Sequence, residues 1–261
     1  MAKEKRRKTY PLFVIIRSLI KFFYHKMEVV GAENLPKEAS IIVGNHCQLN
    51  GPICSELYYP RKRRTWCAGQ MMDLKEVPAY AFEDFWSFKP KWIQPFFKVL
   101  AYIIAPLSYI IFNNAHTIGV YHDTRIMGTF KKTIKCLDEG EDVIIFPEHN
   151  EKYNNVIYDF QKKYIDTAKL YHRRTGKELD FVPMYIAPRL KKIFIGKPIH
   201  FCAESPIEEE RERITAYLMN EITEMARSLP KHTVVPYRNI PKKDYPLNII
   251  SEEINNEKTG S

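Results

Sequence analysis

The sequence predicts an α/β protein: one domain with a mixed central sheet flanked by helices, preceded by a helical segment at the N-terminus. Short apolar runs rich in β-branched residues are bounded by turn signals, and stretches of helical periodicity lie between them. Basic residues concentrate at the N-terminus and run into an apolar stretch. With 261 residues, 45% of them hydrophobic and 27% charged, the chain can bury a sizeable core and is not a disordered sequence.

Residues 1–26 are the first predicted segment. They hold eight Lys and Arg residues against Glu4 alone, and so carry +7 of the net charge of +9. Residues 11–24 are apolar apart from Arg17 and Lys21, which are four residues apart and share one face of a helix. An apolar helix with a basic stripe is typical of the interface of an anionic membrane, and we expect membrane contact here. A surface helix with a basic tail would show the same pattern.

The periodicities predict buried strands at 41–43, 65–68, 118–121, 143–146, 181–186 and 193–195. They predict helices over 126–137 and 157–171, each ending at a glycine. A third helix is expected to start at Ser205 as its cap, with Pro206 in the first helical position and Glu208 three residues after the cap. Its predicted buried face contains Ile214, Leu218, Ile222, Met225 and Leu229.

A second apolar stretch covers residues 92–112. Its uncharged part, from Val99 to Phe112, is 14 residues long, short of the roughly 20 that cross a bilayer. Pro95 and Pro106 interrupt it, and we expect a buried or interfacial helical hairpin.

The five cysteines form no C-x-x-C pair, which argues against a disulfide framework or a zinc ribbon and favours a reducing environment. Three histidines, His46, His122 and His149, lack the spacing of usual ligand pairs, so no metal site is predicted. A cysteine nucleophile at Cys47 is disfavoured, because chain neighbours on an extended segment point to opposite faces and His46 could hardly activate it. A nucleic-acid partner is also disfavoured, since most of the basic excess adjoins an apolar helix.

Polar residues follow the predicted strands in a definite order. Asn45-His46 ends the first, His122-Asp-Thr-Arg125 and Phe146-Pro-Glu-His-Asn150 follow two later ones, and Phe181-Val-Pro183 and Ile195-Gly-Lys-Pro-Ile199 come after them. From about Val30 to Leu229 this set resembles the glycerolipid acyltransferases typified by the lysophosphatidic acid acyltransferases.

The resemblance implies transfer of a fatty acyl group from acyl-CoA or acyl carrier protein to a hydroxyl of a lysophospholipid or glycerol phosphate. The thioester donor would be a co-substrate, and no further cofactor is implied. The partners would be the donor, the lysolipid and a membrane surface with anionic lipids, at the cytoplasmic face of the cell membrane as a peripheral or monotopic protein. Residues 27–235 would form the acyltransferase-like domain and 236–261 a C-terminal tail.

An alcohol is a poor nucleophile at neutral pH, so its attack on a thioester requires a general base, and His46 is the candidate. Arg125 could bind an acceptor phosphate in bidentate fashion, and Glu148 could fix neighbouring donors or acceptor hydroxyls. The candidate site therefore has His46, Asn50 and Glu148 as catalytic residues and Asn45, Arg125, His149 and Lys152 as substrate-binding residues.

The sequence departs from the family at two places. The carboxylate that orients the histidine in the family is replaced by Gly51, which follows Asn50. An expected Gly-Thr-Arg is replaced by His149-Asn-Glu151, where either Lys152 or the cluster Arg61-Lys-Arg-Arg64 could restore the charge. Three alternatives follow: another carboxylate replaces the aspartate, Asn50 orients the histidine less well, or no residue does so and the protein is catalytically weak. Gly51→Asp could then restore the pair. A catalytically weak or inactive lipid-binding relative that serves as an adaptor is the alternative function.

Overall fold

The computed structural model describes residues 10–249, and the basic residues 3–8 of the predicted membrane segment lie outside this range. The chain divides into two compact units. The smaller contains Met1–His25 and Trp66–Thr129, and the larger contains Lys26–Thr65 and Phe130–Ser261. A mixed sheet flanked by helices confirms the predicted α/β class. The three-segment division at residues 26 and 235 stays a prediction.

The sheet of the larger unit has the strand order β1-β9-β8-β2-β5-β3. Parallel pairs join β1 to β9, β8 to β2, β2 to β5 and β5 to β3, whereas β8 pairs antiparallel with both β9 and β10. The strands are β1 Glu28–Val30, β2 Ile41–Gly44, β3 Arg63–Ala68, β5 Asp142–Ile145, β8 Asp180–Ala187, β9 Lys192–Ile195 and β10 Ile199–His200. A separate hairpin is formed by β6 Glu148–Tyr153 and β7 Tyr158–Phe160.

Strands β2 and β5 are buried along their whole length, as parallel strands covered on both faces are. Their continuous apolar runs made them predictable, and all six predicted strands are confirmed within one or two residues at each end. The strands that the sequence did not reveal are the short β1 and β10 and the two strands of the hairpin. Strand β6 has the polar sequence EHNEKY, which carries no strand pattern.

The helices of the larger unit are α2 Asn50–Tyr58, α6 Asp166–Thr175 and α7 Ile207–Arg227, and α5 Ile126–Asp138 begins in the smaller unit. Helix α7 packs against β8, and its predicted buried face is confirmed at Ile214, Leu218 and Ile222. The predicted start is wrong by one residue, because Pro206 is the N-cap and Ser205 makes no cap hydrogen bond.

The predicted helix over 157–171 is wrong in its first part. Tyr158 and Phe160 are buried and flank the half-buried Asp159, a period of two, and the segment pairs with β6 as strand β7. Ile157, Phe160 and Tyr164 are spaced by three and four residues, which fits a helical periodicity although the first part of the segment is a strand. Helix α6 starts only at Asp166 and ends at Gly176, whose φ is 71°.

The smaller unit contains α1 Pro11–Phe23, α3 Val77–Trp86, β4 Thr117–Val120 and α4 Gln94–Asn114. Helix α4 packs against α3 and α1, with Val77, Ala81 and Ala105 in a small buried cluster. The predicted hairpin within 92–112 is wrong. Pro95 lies in the first turn, where a missing N–H costs nothing, and Pro106 is accommodated inside one continuous helix of 21 residues.

Among the described residues, α4 alone is long and apolar enough to cross a membrane by length and composition, with a mean hydropathy of 1.7. Only 17% of that stretch is buried within the protein. Helix α1 also exposes most of its apolar side chains, with Phe22 81% and Phe23 80% accessible. Contact of these helices with a membrane stays a prediction.

Candidate functional site

His46 lies in a strained loop at the carboxyl end of β2. The next two residues have left-handed backbone conformations, with φ of 48° at Cys47 and 56° at Gln48. The loop is closed by the N–H of Gly51, which donates to the carbonyl of His46 at 3.0 Å as α2 begins. Left-handed conformations of non-glycine residues cost of order 1–3 kcal/mol each and persist only where the surrounding structure imposes them. The turn that positions His46 is therefore conformationally strained, and the surrounding structure has to stabilise it.

Glu148, the first residue of β6, binds the backbone of this loop. It follows β5, which runs parallel to β2, and is only 5% exposed. One carboxylate oxygen accepts the backbone N–H of His46 at 2.7 Å and the other accepts the N–H of Tyr158 at 2.8 Å. Burial raises the pKa of Glu148 to about 7, against the effect of the two N–H donors. Glu148 thus fixes the backbone at His46 and does not contact the imidazole through a hydrogen bond.

The imidazole of His46 is held by aromatic rings. Its centroid lies 5.3 Å from that of Phe146 and 5.5 Å from that of Tyr237, both edge-on. Its Nδ1 is buried and has no hydrogen-bond partner in the described part of the chain. Burial lowers the pKa of His46 to about 4, against the smaller raising effect of backbone groups of Gln48 and His46, so the ring is neutral at pH 7. Within the described residues, therefore, no carboxylate forms a hydrogen bond with the Nδ1 of His46.

The two asparagines beside His46 bind backbone groups. The Oδ1 of Asn45 accepts the N–H of Ile186 at 2.7 Å and its Nδ2 donates to the carbonyl of the same residue at 3.0 Å, which ties the loop to β8. The Nδ2 of Asn50 donates to the carbonyl of Cys47 at 2.9 Å. Asn50 therefore contributes to the turn and does not stand in for the aspartate at Nδ1.

Cys47 is a buried thiol. Its Sγ lies 2.8 Å from the Nδ2 of Asn45, and burial raises its pKa well above the ordinary value. A thiol that stays protonated is a poor nucleophile, which agrees with the preference for His46 as the reactive residue.

His149 and Lys152 lie on β6, one and four residues after Glu148. The Nδ1 of His149 is 3.6 Å from a carboxylate oxygen of Glu151, and Lys152 is exposed. The ligating atoms of His149, Glu151 and Asp159 lie within 4.8 Å of one another, a group that could hold a metal ion. Substrate binding by His149 and Lys152 stays a prediction.

Arg125 belongs to the smaller unit, where it is already paired. Its guanidinium binds Glu76 at 2.7 Å and Asp123 at 2.8 Å, and it lies 3.9 Å from the centre of the Tyr121 ring. The two carboxylates raise its pKa, with Asp123 contributing most. A role in binding an acceptor phosphate stays a prediction and would require the phosphate to replace one of these partners.

Tyr237 is the site residue that sequence reasoning missed. It belongs to the predicted C-terminal tail, yet its ring packs on His46 and also on Tyr158, with centroids 6.2 Å apart. The apolar run Thr233-Val-Val-Pro-Tyr237 was the available signal that this segment packs on the core. The contact between Tyr237 and His46 could not be predicted from the sequence, because the two residues are 191 positions apart.

The fold and site define an α/β protein in which a half-buried histidine and a buried glutamate follow neighbouring parallel strands. No family model matches the chain, and no curated protein matches it. Among solved structures, it is similar to the 1-acyl-sn-glycerophosphate (LPA) acyltransferase PlsC from Thermotoga maritima, at 19% identity and a TM-score of 0.47. The match covers 84% of this chain and 82% of the other.

Proposed function

We propose that the protein is a membrane-associated acyltransferase with His46 as its general base. It would transfer a fatty acyl group from acyl-CoA or acyl carrier protein to a hydroxyl of a lysophospholipid or glycerol phosphate. The observation that carries this proposal is the position of the His46 imidazole at the carboxyl end of β2, in a strained loop that Glu148 holds. Crevices at this edge of an α/β sheet are where such proteins bind ligands.

The chemistry needs one proton carrier. The imidazole takes the proton of the acceptor hydroxyl as its oxygen attacks the thioester carbonyl, and the new ester C–O bond forms. The C–S bond then breaks, and the imidazolium returns the proton to the departing thiolate. His46 is available for the first step because it is neutral at pH 7. A base with a pKa of about 4 accepts a proton less readily than one near 7, so the proposal implies slow turnover.

A second candidate function is supported by the unpartnered Nδ1 of His46. Without an orienting acceptor the imidazole lacks the group that fixes its tautomer in a His–Asp pair. The same fold could then bind lysolipid or acyl chains without turnover and serve as an adaptor.

Membrane association is part of the proposal and is supported by the apolar surfaces of α1 and α4. Glutamates at Phe22 and Phe23, whose rings are almost fully exposed, should release the protein from vesicles, because the bilayer would have to accept two charges. Co-sedimentation with phosphatidylglycerol vesicles measures this effect. Glutamates at Ala216 and Asn220, both exposed on α7, add the same charge elsewhere and should leave binding intact. Equal release by the two pairs would contradict an interfacial role for α1.

The activity test compares wild-type protein with His46→Ala in vesicles that contain lysophosphatidic acid, with radiolabelled acyl-CoA as donor. Removal of the base should lower transfer by roughly 10²- to 10⁴-fold, while vesicle binding stays unchanged. His122→Ala, at an exposed histidine of the smaller unit, is the matched control and should keep full activity. Equal transfer by wild-type and His46→Ala protein would remove His46 as the base.

A further inference from the structure

A loop near the C-terminus is closed at its base on the core of the larger unit. Thr233 and Leu247 form an antiparallel bridge, and the N–H of Val234 donates to the carbonyl of Pro246 at 2.9 Å. We call residues 234–246 the cover loop. Because both of its ends are joined by backbone pairing, the loop between them keeps a defined path.

Asn248 fastens this base to helix α7. Its Oδ1 accepts the N–H of His232 at 2.8 Å, and its Nδ2 donates to the carbonyl of Ala226 at 2.9 Å. Asn248 is itself buried, so these hydrogen bonds are shielded from water. The cover loop is therefore anchored to α7 at its base.

The far side of the cover loop lies on the loop that carries His46. The Nε2 of Gln48 donates to the carbonyl of Arg238 at 3.1 Å and to the hydroxyl of Tyr245 at 2.9 Å. These contacts bring the ring of Tyr237 edge-on to the imidazole of His46, with an interplanar angle of 78°. Gln48 thus couples the cover loop to the strained turn at the end of β2.

The imidazole is held between two rings from different parts of the chain. Phe146 packs on it at an interplanar angle of 69°, and Tyr237 packs on it from the cover loop. Tyr158, from the hairpin, contacts the ring of Tyr237 at 69° and so supports it. Edge-to-face pairs favour particular ring orientations, and the imidazole has no hydrogen bond at Nδ1 that could do so instead.

We propose that Tyr237 is the positioning residue of His46, and that ring packing from the cover loop supplies the orientation that a carboxylate at Nδ1 supplies in a His–Asp pair. Tyr237 acts through His46 and need not touch the substrate. The proposal rests on the proposed function for its effect on activity, whereas its effect on the imidazole can be measured without any substrate.

Two ionisable residues, Glu148 and Cys47, lie beside His46. Glu148 binds the backbone N–H of His46, and Cys47 is the next residue, a thiol whose pKa burial raises. Replacing Tyr237 changes neither residue. A rise in the pKa of His46 in such a variant would therefore report the entry of water around the ring.

The test uses NMR titration of the imidazole C–H signals in the full-length protein, with the His46 signal assigned by its loss in His46→Ala. Tyr237→Leu should move the pKa of His46 from about 4 toward the ordinary 6.5 and lower kcat by more than about tenfold, with the KM for acyl-CoA little changed. Tyr237→Phe keeps the ring that packs on His46 and should change the pKa of His46 and kcat less than Tyr237→Leu does. Asn239→Ala, an exposed position in the same loop, should alter neither.

A wild-type titration curve for His46 in Tyr237→Leu would overturn the proposal. If that variant fails to fold, Gln48→Ala loosens the cover loop and should raise the pKa of His46 in the same direction, and an unchanged pKa there would also overturn it. Should wild-type protein transfer no acyl group, the titration still tests whether Tyr237 packs on the imidazole and shields it from water, so the two proposals fail separately.

Discussion

Gly51→Asp should destabilise the protein and should not raise its activity, although the motif that the sequence resembles has an aspartate at this position. A Cβ atom at position 51 would lie 2.4 Å from the carbonyl oxygen of His46 and 3.1 Å from the ring of Phe146. The first of these atoms is backbone in a strained loop and cannot rotate away. This close approach argues against the expectation that a carboxylate at this position restores the catalytic pair, even though the φ of Gly51 is outside the left-handed range.

Forcing extra atoms into packed structure costs typically 1–3 kcal/mol, and Gly51→Ala and Gly51→Asp should each lose about that much stability or more. Urea unfolding and kcat measure the two effects. Gly128→Ala is the matched control, because nothing lies within 4 Å of a Cβ at that helical position and alanine should be neutral or stabilising there. Wild-type stability together with a higher kcat in Gly51→Asp would show that the loop accepts the carboxylate.

Glu148→Ala should be among the most destabilising substitutions in the larger unit. It would leave the N–H groups of His46 and Tyr158 without their acceptors in a buried setting, at about 1–3 kcal/mol for each group. Glu148→Gln keeps one acceptor oxygen but turns an amide NH₂ toward the other donor, so its loss should be smaller. Glu151→Ala, exposed on the same strand, should change the free energy of unfolding by less than about 0.5 kcal/mol.

Glu148 also predicts a pH dependence of stability. Its pKa is about 7 in the folded protein and near 4.5 when exposed, so the unfolded chain releases the proton first as the pH rises. The stability contributed by this group is complete below pH 4.5 and is lost as the pH rises through about 7, by roughly 3 kcal/mol in total. The difference in unfolding free energy between wild type and Glu148→Gln, measured from pH 4.5 to 8, isolates this term. A difference that does not change with pH would contradict the raised pKa.

The sheet was predictable because its central strands are continuous apolar runs. Strands β2 and β5 are buried on both faces, and this leaves a strong signal in the sequence. The segment 157–160 was misassigned because Ile157 and Phe160 satisfy a helical spacing as well as a strand, and only pairing with the polar β6 decides between them. Pairing between strands is a property of two segments and cannot be read from one.

The position of the candidate site in the fold could be predicted, whereas its contacts could not, and its role stays a prediction. His46 and Glu148 were placed at strand ends by the order of apolar and polar residues, and the structure joins them through a backbone N–H. That a carboxylate binds backbone here, and that Tyr237 reaches His46 from the far end of the chain, depends on loop geometry and on long-range packing. The ion pair between Arg125 and Glu76 could not be predicted from the sequence for the same reason, since the two residues are 49 positions apart.

The measurement that tests the central claim most directly is a single-turnover transfer assay, with wild-type protein in excess over radiolabelled acyl-CoA in lysolipid vesicles. Excess protein makes one slow round of chemistry visible, and it separates an enzyme from a protein that only binds lipid. We expect the label to pass completely from the thioester to an ester of the lysolipid with wild-type protein, and to stay on the thioester with His46→Ala. Wild-type protein that binds the vesicles and leaves all of the label on intact acyl-CoA would contradict the claim and favour the lipid-binding adaptor.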